Sequence, residues 1–171
     1  MAKILMIVAQ QGFKDAELLV PKGVLEKAGH SVKVASITRG TAYGADGAQV
    51  QPDMAAYEVN PDFFDAIVVV GGPGSPALAE NDEVLRIVRG AGEKKKVVAA
   101  ICLGPMALAN CGVLMGKEAT VFPDRKAIKL LRDNGATYLV QHVVKADNVL
   151  TADSPASASE FAKMLVDMLK K

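Results

Sequence analysis

Apolar and polar positions follow two alternating patterns along the first forty residues of this chain. Residues 3–9 form a continuous apolar run, which is typical of a strand buried on both faces of a parallel sheet. Residues 15–28 then repeat apolar positions every three or four residues, which predicts a helix that stops at Gly29. Residues 31–37 alternate apolar and polar side chains and predict a strand nearer the sheet edge. This opening is a βαβ unit, whose crossover is right-handed.

The same alternation of strands and helices resumes after an irregular stretch. Glycine and proline divide residues 38–62 into short segments, among them residues 48–51, and we predict a small hairpin or an irregular excursion there. The later pattern predicts strands at 66–70, 97–101, 119–122, 140–145 and 148–152, helices at 82–92, 104–110, 124–133 and 156–169, and a loop at 71–77. We therefore predict one domain over residues 1–171, a three-layer α/β/α sandwich around a doubly wound, mainly parallel sheet.

Composition and charge exclude several classes of protein. Lys and Arg total 20 against 19 Asp and Glu, a balance that argues against a nucleic-acid binder, and the lysine run at residues 94–96 reads as a solvated turn. The apolar run at residues 4–9 is too short for a signal-peptide core, and no stretch approaches the roughly 18 apolar residues that cross a bilayer. Two cysteines form neither a disulfide framework nor a metal-ligand spacing. We expect a cytoplasmic protein with no membrane contact.

Candidate chemistry lies where the central strands end, because ligands bind beyond the carboxyl ends of strands in open α/β sheets. This rule indicates residues 10–17, residues 71–75 and Cys102. Cys102 stands between a predicted strand and a helix introduced by Gly104 and Pro105, which is the strand-turn-helix form of a nucleophile elbow. A helix N-terminus lowers a thiol pKa, so we expect Cys102 to ionise below its ordinary value. A buried structural cysteine is the alternative, and the spacing alone leaves both interpretations open.

Other candidates for chemistry are weak. The segment 72–77 superficially resembles a dinucleotide-binding loop, but its two prolines lack an N–H, so we expect no nucleotide and no other cofactor. His30 follows the first helix at the end of the sheet opposite Cys102, and His142 lies in or beside a late strand, where we give it little weight as a catalytic group. Two isolated histidines make a metal site improbable. Cys111 is expected to be an inert, packed thiol.

Three stretches of the chain resemble one protein family. They are Asp15-Ala-Glu-Leu-Leu-Val-Pro21, Val68-Val-Val-Gly-Gly-Pro-Gly74 and Ala99-Ala-Ile-Cys-Leu-Gly-Pro105, with further support from residues 120–123, 133–136 and 151–155. Residues 3–169 thus resemble the DJ-1/PfpI family. The resemblance implies a flavodoxin-like fold with a nucleophile elbow. It also implies a homo-oligomer, with a homodimer as the default expectation.

The resemblance also implies roles for individual residues. The nucleophile and redox-sensitive thiol is Cys102, the acidic partner is Glu17, the backbone N–H groups of the anion pocket belong to Gly72 and Leu103, and the pocket further includes Gly71, Phe122 and Asp153. The placement of Cys102 agrees with the elbow found from the residues themselves. For Glu17 the alternative is a solvated helix residue, against which its apolar neighbours argue.

Three positions depart from the family pattern. Leu103 stands where peptidase-type relatives carry a histidine after the cysteine, and Phe122 stands where DJ-1 has a histidine. Asp153 replaces an arginine, which removes or reverses a charge that favours anions. Peptide cleavage is therefore not expected, because the amine leaving group needs a proton donor.

The resemblance implies glyoxalase III-like or deglycase-like action on a small carbonyl substrate. In that interpretation Cys102 is the nucleophile and Glu17 the acid/base. The alternative is a redox-sensing or chaperone-like protein without turnover, in which the same thiol is oxidised.

Overall fold

Twelve strands within residues 1–170 of this computed structural model form one large sheet and two small ones. In chain order they are β1 (Lys3–Ile7), β2 (Gln11–Phe13), β3 (Ser31–Ser36), β4 (Ala42–Gly44), β5 (Gln49–Val50), β6 (Met54–Ala55), β7 (Ala66–Val69), β8 (Val97–Ile101), β9 (Glu118–Ala119), β10 (Thr137–Tyr138), β11 (Val143–Ala146) and β12 (Val149–Ala152). Lys171, which the predicted domain includes, lies outside the described residues.

The large sheet has the strand order β11-β12-β8-β7-β1-β3-β6. Every neighbouring pair is parallel except β11 and β12, which form an antiparallel hairpin at one edge. The chain starts in the interior of the sheet, winds to one edge, returns to β7 and then winds to the other edge, which confirms the doubly wound order. The carboxyl ends of β1, β7 and β8 consequently lie side by side.

Six α-helices in residues 1–170 cover the two faces of the large sheet. They are α1 (Asp15–Lys27), α2 (Ser75–Ala79), α3 (Asp82–Glu93), α4 (Pro105–Asn110), α5 (Arg125–Asp133) and α6 (Ala158–Met168). On one face α1 and α6 pack together and bury Leu25 and Phe161 completely. On the other face α3 and α5 bury Ile87 and Leu131 completely. The three-layer α/β/α architecture is confirmed, because apolar stripes of the helices cover both faces of apolar strands.

The helix α3 shows how local sequence sets the start of an element. Asn81 precedes it in an extended conformation, and its side-chain oxygen accepts the N–H groups of Glu83 and Val84 at 3.0 and 3.1 Å. Two of the N–H groups that no helical carbonyl can reach are thereby satisfied.

The predicted irregular stretch contains a hairpin, since β4 and β5 pair antiparallel. The strand β4 of this hairpin also pairs with β2, and β6 pairs with β3 at the edge of the large sheet. Neither β2 nor β6 was predicted. Both are too short to show periodicity, because a strand of two or three residues has one alternation at most.

Three predicted boundaries are wrong. The loop predicted at 71–77 contains the start of α2, where Pro76 occupies an early helical position that tolerates the missing N–H. The strand predicted at 119–122 is β9, which ends at Ala119 and pairs with the unpredicted β10 outside the large sheet. The strand predicted at 140–145 begins only at Val143, and Val140 is exposed instead.

Candidate functional site

Cys102 follows β8 directly and has a backbone φ of +62°, a conformation that residues with a side chain rarely adopt. Its N–H donates to the carbonyl oxygen of Ala152 at 2.9 Å, and its own carbonyl accepts the N–H of Phe122 at 2.8 Å. These two hydrogen bonds hold the strained residue between two neighbouring segments. Non-glycine residues held in this way cluster at functional sites, and the strand-turn-helix elbow predicted from the sequence is present.

The turn after Cys102 is tight because Gly104 has no side chain. A Cβ at this position would lie 2.4 Å from the carbonyl oxygen of Val69. The following helix, α4, starts at Pro105 and has only six residues. A helix this short, three positions beyond the cysteine, adds little favourable potential at the sulfur, since the effect falls off within the first turn.

Glu17 lies in the first turn of α1 and is completely buried, so the alternative of a solvated helix residue is wrong. Neither oxygen of its carboxyl group completes a well-aligned hydrogen bond within residues 1–170. A carboxylate removed from water without firm donors is costly to ionise. Burial therefore raises the pKa of Glu17 to about 7, against smaller lowering effects of the nearby Cys102 thiol, the Gly71 N–H and the charge of Lys14.

Gly71 allows the carboxyl group and the cysteine to share one space. A Cβ on Gly71 would lie 2.5 Å from Oε1 of Glu17, 2.6 Å from Cβ of Cys102 and 2.4 Å from the carbonyl oxygen of Ile101. No larger residue fits without moving backbone. Gly71, two residues beyond the end of β7, thus allows α1 and the elbow to come into contact.

The Cys102 thiol is 6% exposed, and burial is the main reason that its pKa rises to about 12. The negative charge of Glu17 and the hydrogen bond that its carboxylate accepts from the thiol raise the pKa of Cys102 further. The lowered thiol pKa expected from the sequence is therefore wrong, because desolvation and a neighbouring anion outweigh the short helix. The two groups are coupled, because a negative charge on Glu17 makes ionisation of the Cys102 thiol more costly.

The backbone N–H groups of Gly72 and Leu103 lie beside the sulfur. Neither donates to a backbone carbonyl elsewhere in residues 1–170, and both act to lower the pKa of Cys102 by favouring its anion. Two donors aimed at a nucleophile are also what a developing oxyanion requires. The structure thus brings Glu17, Gly72, Cys102 and Leu103 together, as the sequence predicted.

The two further pocket positions, Phe122 and Asp153, flank the elbow. Phe122 is 39% exposed and is tied to Cys102 by its N–H. Asp153 follows β12 directly, next to the Ala152 carbonyl that holds Cys102. Its carboxylate is already engaged, because one oxygen accepts the Ser157 hydroxyl at 2.7 Å and the other lies 3.0 Å from Nδ1 of His142.

His142, to which the sequence analysis gave little weight as a catalytic group, lies against Asp153. Its carbonyl accepts the Asp153 N–H at 3.0 Å, so backbone and side chain both join the two residues. This contact depends on the register of the hairpin, whose two-residue turn is Asp147 and Asn148. His142 and Asp153 are equally distant from that turn, so they face each other. The predicted strands at 140–145 and 148–152 place the turn one residue earlier, which would not pair them.

The remaining candidates lie apart from the elbow. Nδ1 of His30 accepts the N–H of Ala2 at 3.0 Å, at the amino end of β1. Cys111 caps the end of α4, its thiol donates to the carbonyl of Leu108 at 3.4 Å, and burial raises its pKa. Within residues 1–170, no three His, Cys, Asp or Glu side chains cluster in a way that could hold a metal ion. No helix in the same range is long and apolar enough to span a bilayer.

Comparisons with known proteins give concordant matches. The family model described as the DJ-1/PfpI family matches residues 2–168. An uncharacterized protein from Methanocaldococcus jannaschii is 42% identical over 171 residues, covering 99% of this chain and 83% of that protein. A protein named as a deglycase from Pyrococcus horikoshii is 34% identical over 168 residues, covering 98% of this chain and 99% of the relative.

Two crystal structures match over nearly the whole chain. A ThiJ/PfpI domain protein from Brachyspira murdochii superposes with a TM-score of 0.93 at 31% identity, covering 98% of this chain and 95% of that one. DJ-1beta from Drosophila melanogaster superposes with a TM-score of 0.88 at 32% identity, covering 99% and 91% respectively.

Proposed function

Because this chain belongs to the DJ-1/PfpI family and has its flavodoxin-like fold, we propose that it is a cysteine-dependent enzyme acting on small 1,2-dicarbonyl compounds. Cys102 is the nucleophile and Glu17 the acid/base. One observation carries the proposal: a buried carboxyl group with a pKa of about 7 faces a cysteine held at a φ of +62°. A group whose pKa lies near the working pH is the most effective proton carrier. The name deglycase, given to relatives from two Pyrococcus species, agrees with carbonyl chemistry.

The first step is addition of the thiol to the aldehyde carbon of the substrate. A carbon–sulfur bond forms while the π bond of the carbonyl breaks. Glu17 takes the thiol proton as the sulfur attacks, so free thiolate with its high pKa never has to accumulate. The N–H groups of Gly72 and Leu103 stabilise the oxyanion until it is protonated, and the product is a hemithioacetal on Cys102.

The second step is an internal transfer of hydrogen between the two substrate carbons. Glu17 removes the proton from the carbon bonded to sulfur and returns a proton to the neighbouring carbon through an enediol. The result is a 2-hydroxyacyl thioester, which water hydrolyses to a 2-hydroxy acid and the free thiol. The sum is dicarbonyl plus water giving hydroxy acid, so atoms and electrons balance without an external oxidant.

The test is lactate formation from methylglyoxal. The wild type and the control Cys111→Ser are expected to produce lactate, since Cys111 lies outside the site. Cys102→Ser and Glu17→Gln are expected to lose at least about 10²-fold in kcat/KM, the lower end of the contribution of a general acid/base. Lactate production by Cys102→Ser at the wild-type rate contradicts the proposal.

The redox-sensor alternative receives less support from the geometry. A sensor thiol is accessible and of low pKa, whereas the Cys102 thiol is buried and its pKa is raised. Treatment with peroxide followed by mass spectrometry separates the two functions. Selective oxidation of Cys102 over Cys111, in a protein that does not turn over methylglyoxal, favours the sensor.

A further inference from the structure

Cys102, Asp153 and His142 occupy one row across three adjacent strands. In the parallel pair of β8 and β12, Ile101 lies opposite Ala152, so the next residues along are Cys102 and Asp153. In the antiparallel pair of β12 and β11, Ala152 lies opposite Val143, so Asp153 faces His142. Neighbouring strands are about 4.8 Å apart, which places the backbones of Cys102 and His142 roughly 10 Å apart at the same sheet edge.

Asp153 orients the imidazole ring of His142. Its carboxylate lies 3.0 Å from Nδ1 and is itself anchored by the Ser157 hydroxyl at 2.7 Å. An acceptor at Nδ1 keeps a proton on that nitrogen and leaves Nε2 to exchange protons with other molecules. The Asp153 side chain is mostly buried, whereas the His142 side chain is 79% exposed. A fixed carboxylate therefore orients an imidazole ring that solvent and ligands can reach.

We propose that His142, oriented by Asp153, is the proton donor to the amine leaving group when the enzyme acts on dicarbonyl adducts of amines. This inference rests on the proposed function of Cys102 and assigns a further catalytic residue to it. It also supplies the acid that Leu103 and Phe122 cannot provide, because neither of those side chains exchanges a proton.

The step proposed for His142 precedes the hydrogen transfer by Glu17. In a hemiaminal the former aldehyde carbon carries a hydroxyl group and the amine nitrogen. The sulfur of Cys102 displaces that nitrogen, so a carbon–sulfur bond forms and a carbon–nitrogen bond breaks. His142 gives its proton to the departing nitrogen, and the free amine leaves behind the same hemithioacetal that a free dicarbonyl forms.

His142 lies two strands from Cys102, and the resulting distance of roughly 10 Å between their backbones is compatible with this step. The nitrogen is two bonds from the sulfur during displacement, so the proton is needed several ångströms from Sγ. A surface ion pair without function is the alternative explanation of the contact, and such pairs add at most about 1 kcal/mol to stability. Removing an exposed imidazole therefore leaves the fold intact and isolates its chemical role.

The experiment compares three substrates in wild type and in His142→Gln. They are methylglyoxal alone, its adduct with the side-chain amine of Nα-acetyllysine and its adduct with N-acetylcysteine. Without a proton an amine would have to leave as a strongly basic amide anion, whereas a thiol of pKa about 8.5 leaves as its anion. Only the lysine adduct should therefore depend on a proton donor.

His142→Gln should lower kcat/KM for the lysine adduct by at least about tenfold while the other two substrates stay within about twofold. Added imidazole should partly restore the lysine-adduct rate in His142→Ala, because the vacated position is open to solvent. Asp153→Asn should show the same substrate pattern with a smaller loss. His30→Gln, at the other end of the sheet, is the matched control and should change no rate.

Two outcomes overturn the inference alone. One is an equal change on all three substrates, which indicates a structural role or none. The other is a wild type that converts free methylglyoxal but not the lysine adduct. If methylglyoxal turnover does not depend on Cys102, the proposed function fails first and this inference fails with it.

Discussion

The buried carboxyl group of Glu17 makes the stability of the fold depend on pH. Burial raises its pKa from an ordinary value of 4.5 to about 7. Between these values the group is protonated in the folded protein and ionised in the unfolded chain. The folded state therefore binds more protons, and the free energy of unfolding falls as the pH rises. The stabilisation is fully present below pH 4.5 and is lost as the pH passes through about 7.

The magnitude follows from the two pKa values. At about 1.4 kcal/mol per tenfold change in proton affinity, the interval from 4.5 to about 7 corresponds to about 3 kcal/mol. Ionisation of Glu58 has the opposite effect on the pH dependence of stability, because its hydrogen bond with Arg39 lowers its pKa to about 2. That effect lies below the pH interval in which Glu17 acts. Cys102, with a pKa of about 12, also titrates outside it.

Urea unfolding followed by circular dichroism, at several pH values from about 5 to about 8, measures the effect. Glu17→Gln cannot ionise, so its stability relative to wild type should rise by about 2.5 kcal/mol across this range. Glu26→Gln is the control, since Glu26 lies exposed on the same helix and its variant should track wild type. Subtracting the wild-type stability curve from the variant curve also removes the contribution of the two histidines, which both proteins contain. A difference between Glu17→Gln and wild type that stays flat with pH refutes the argument that burial governs Glu17.

Three further predictions concern neighbouring positions. Gly71→Ala should lower the free energy of unfolding, measured by calorimetry, by about 1–3 kcal/mol and stop dicarbonyl turnover, because the added Cβ meets backbone and site atoms. Gly23 lies inside a helix, and a Cβ there meets nothing within 4 Å. Gly23→Ala should therefore raise the free energy of unfolding by about 0.5–1 kcal/mol. Removing the negative charge by Glu17→Gln should lower the pH at which Cys102 thiolate absorbance appears near 240 nm; an unchanged or higher pH contradicts the assigned cause of the raised pKa. Asn81→Ala should cost about 1 kcal/mol through the lost helix cap without altering turnover.

Local sequence determined most of the architecture of this protein. Long apolar runs such as residues 97–101 predict strands buried on both faces, and helical spacing between them predicts crossovers, so the doubly wound sheet follows from short-range pattern. The elbow is equally local, because Gly104 and Pro105 set the turn immediately after Cys102. The other site residues around Cys102 were predicted from this turn together with the family resemblance.

Tertiary structure alone decided the features that depend on distant neighbours. The strands β2, β6 and β10 exist because other segments pair with them, which no periodicity of two or three residues reveals. The thiol pKa of Cys102 rises instead of falling, because burial and a carboxyl group from a distant helix set it. The contact between His142 and Asp153 likewise required the register of the last hairpin. A sequence shows which groups a chain carries, but desolvation and pairing energies are determined by what folding places beside each group.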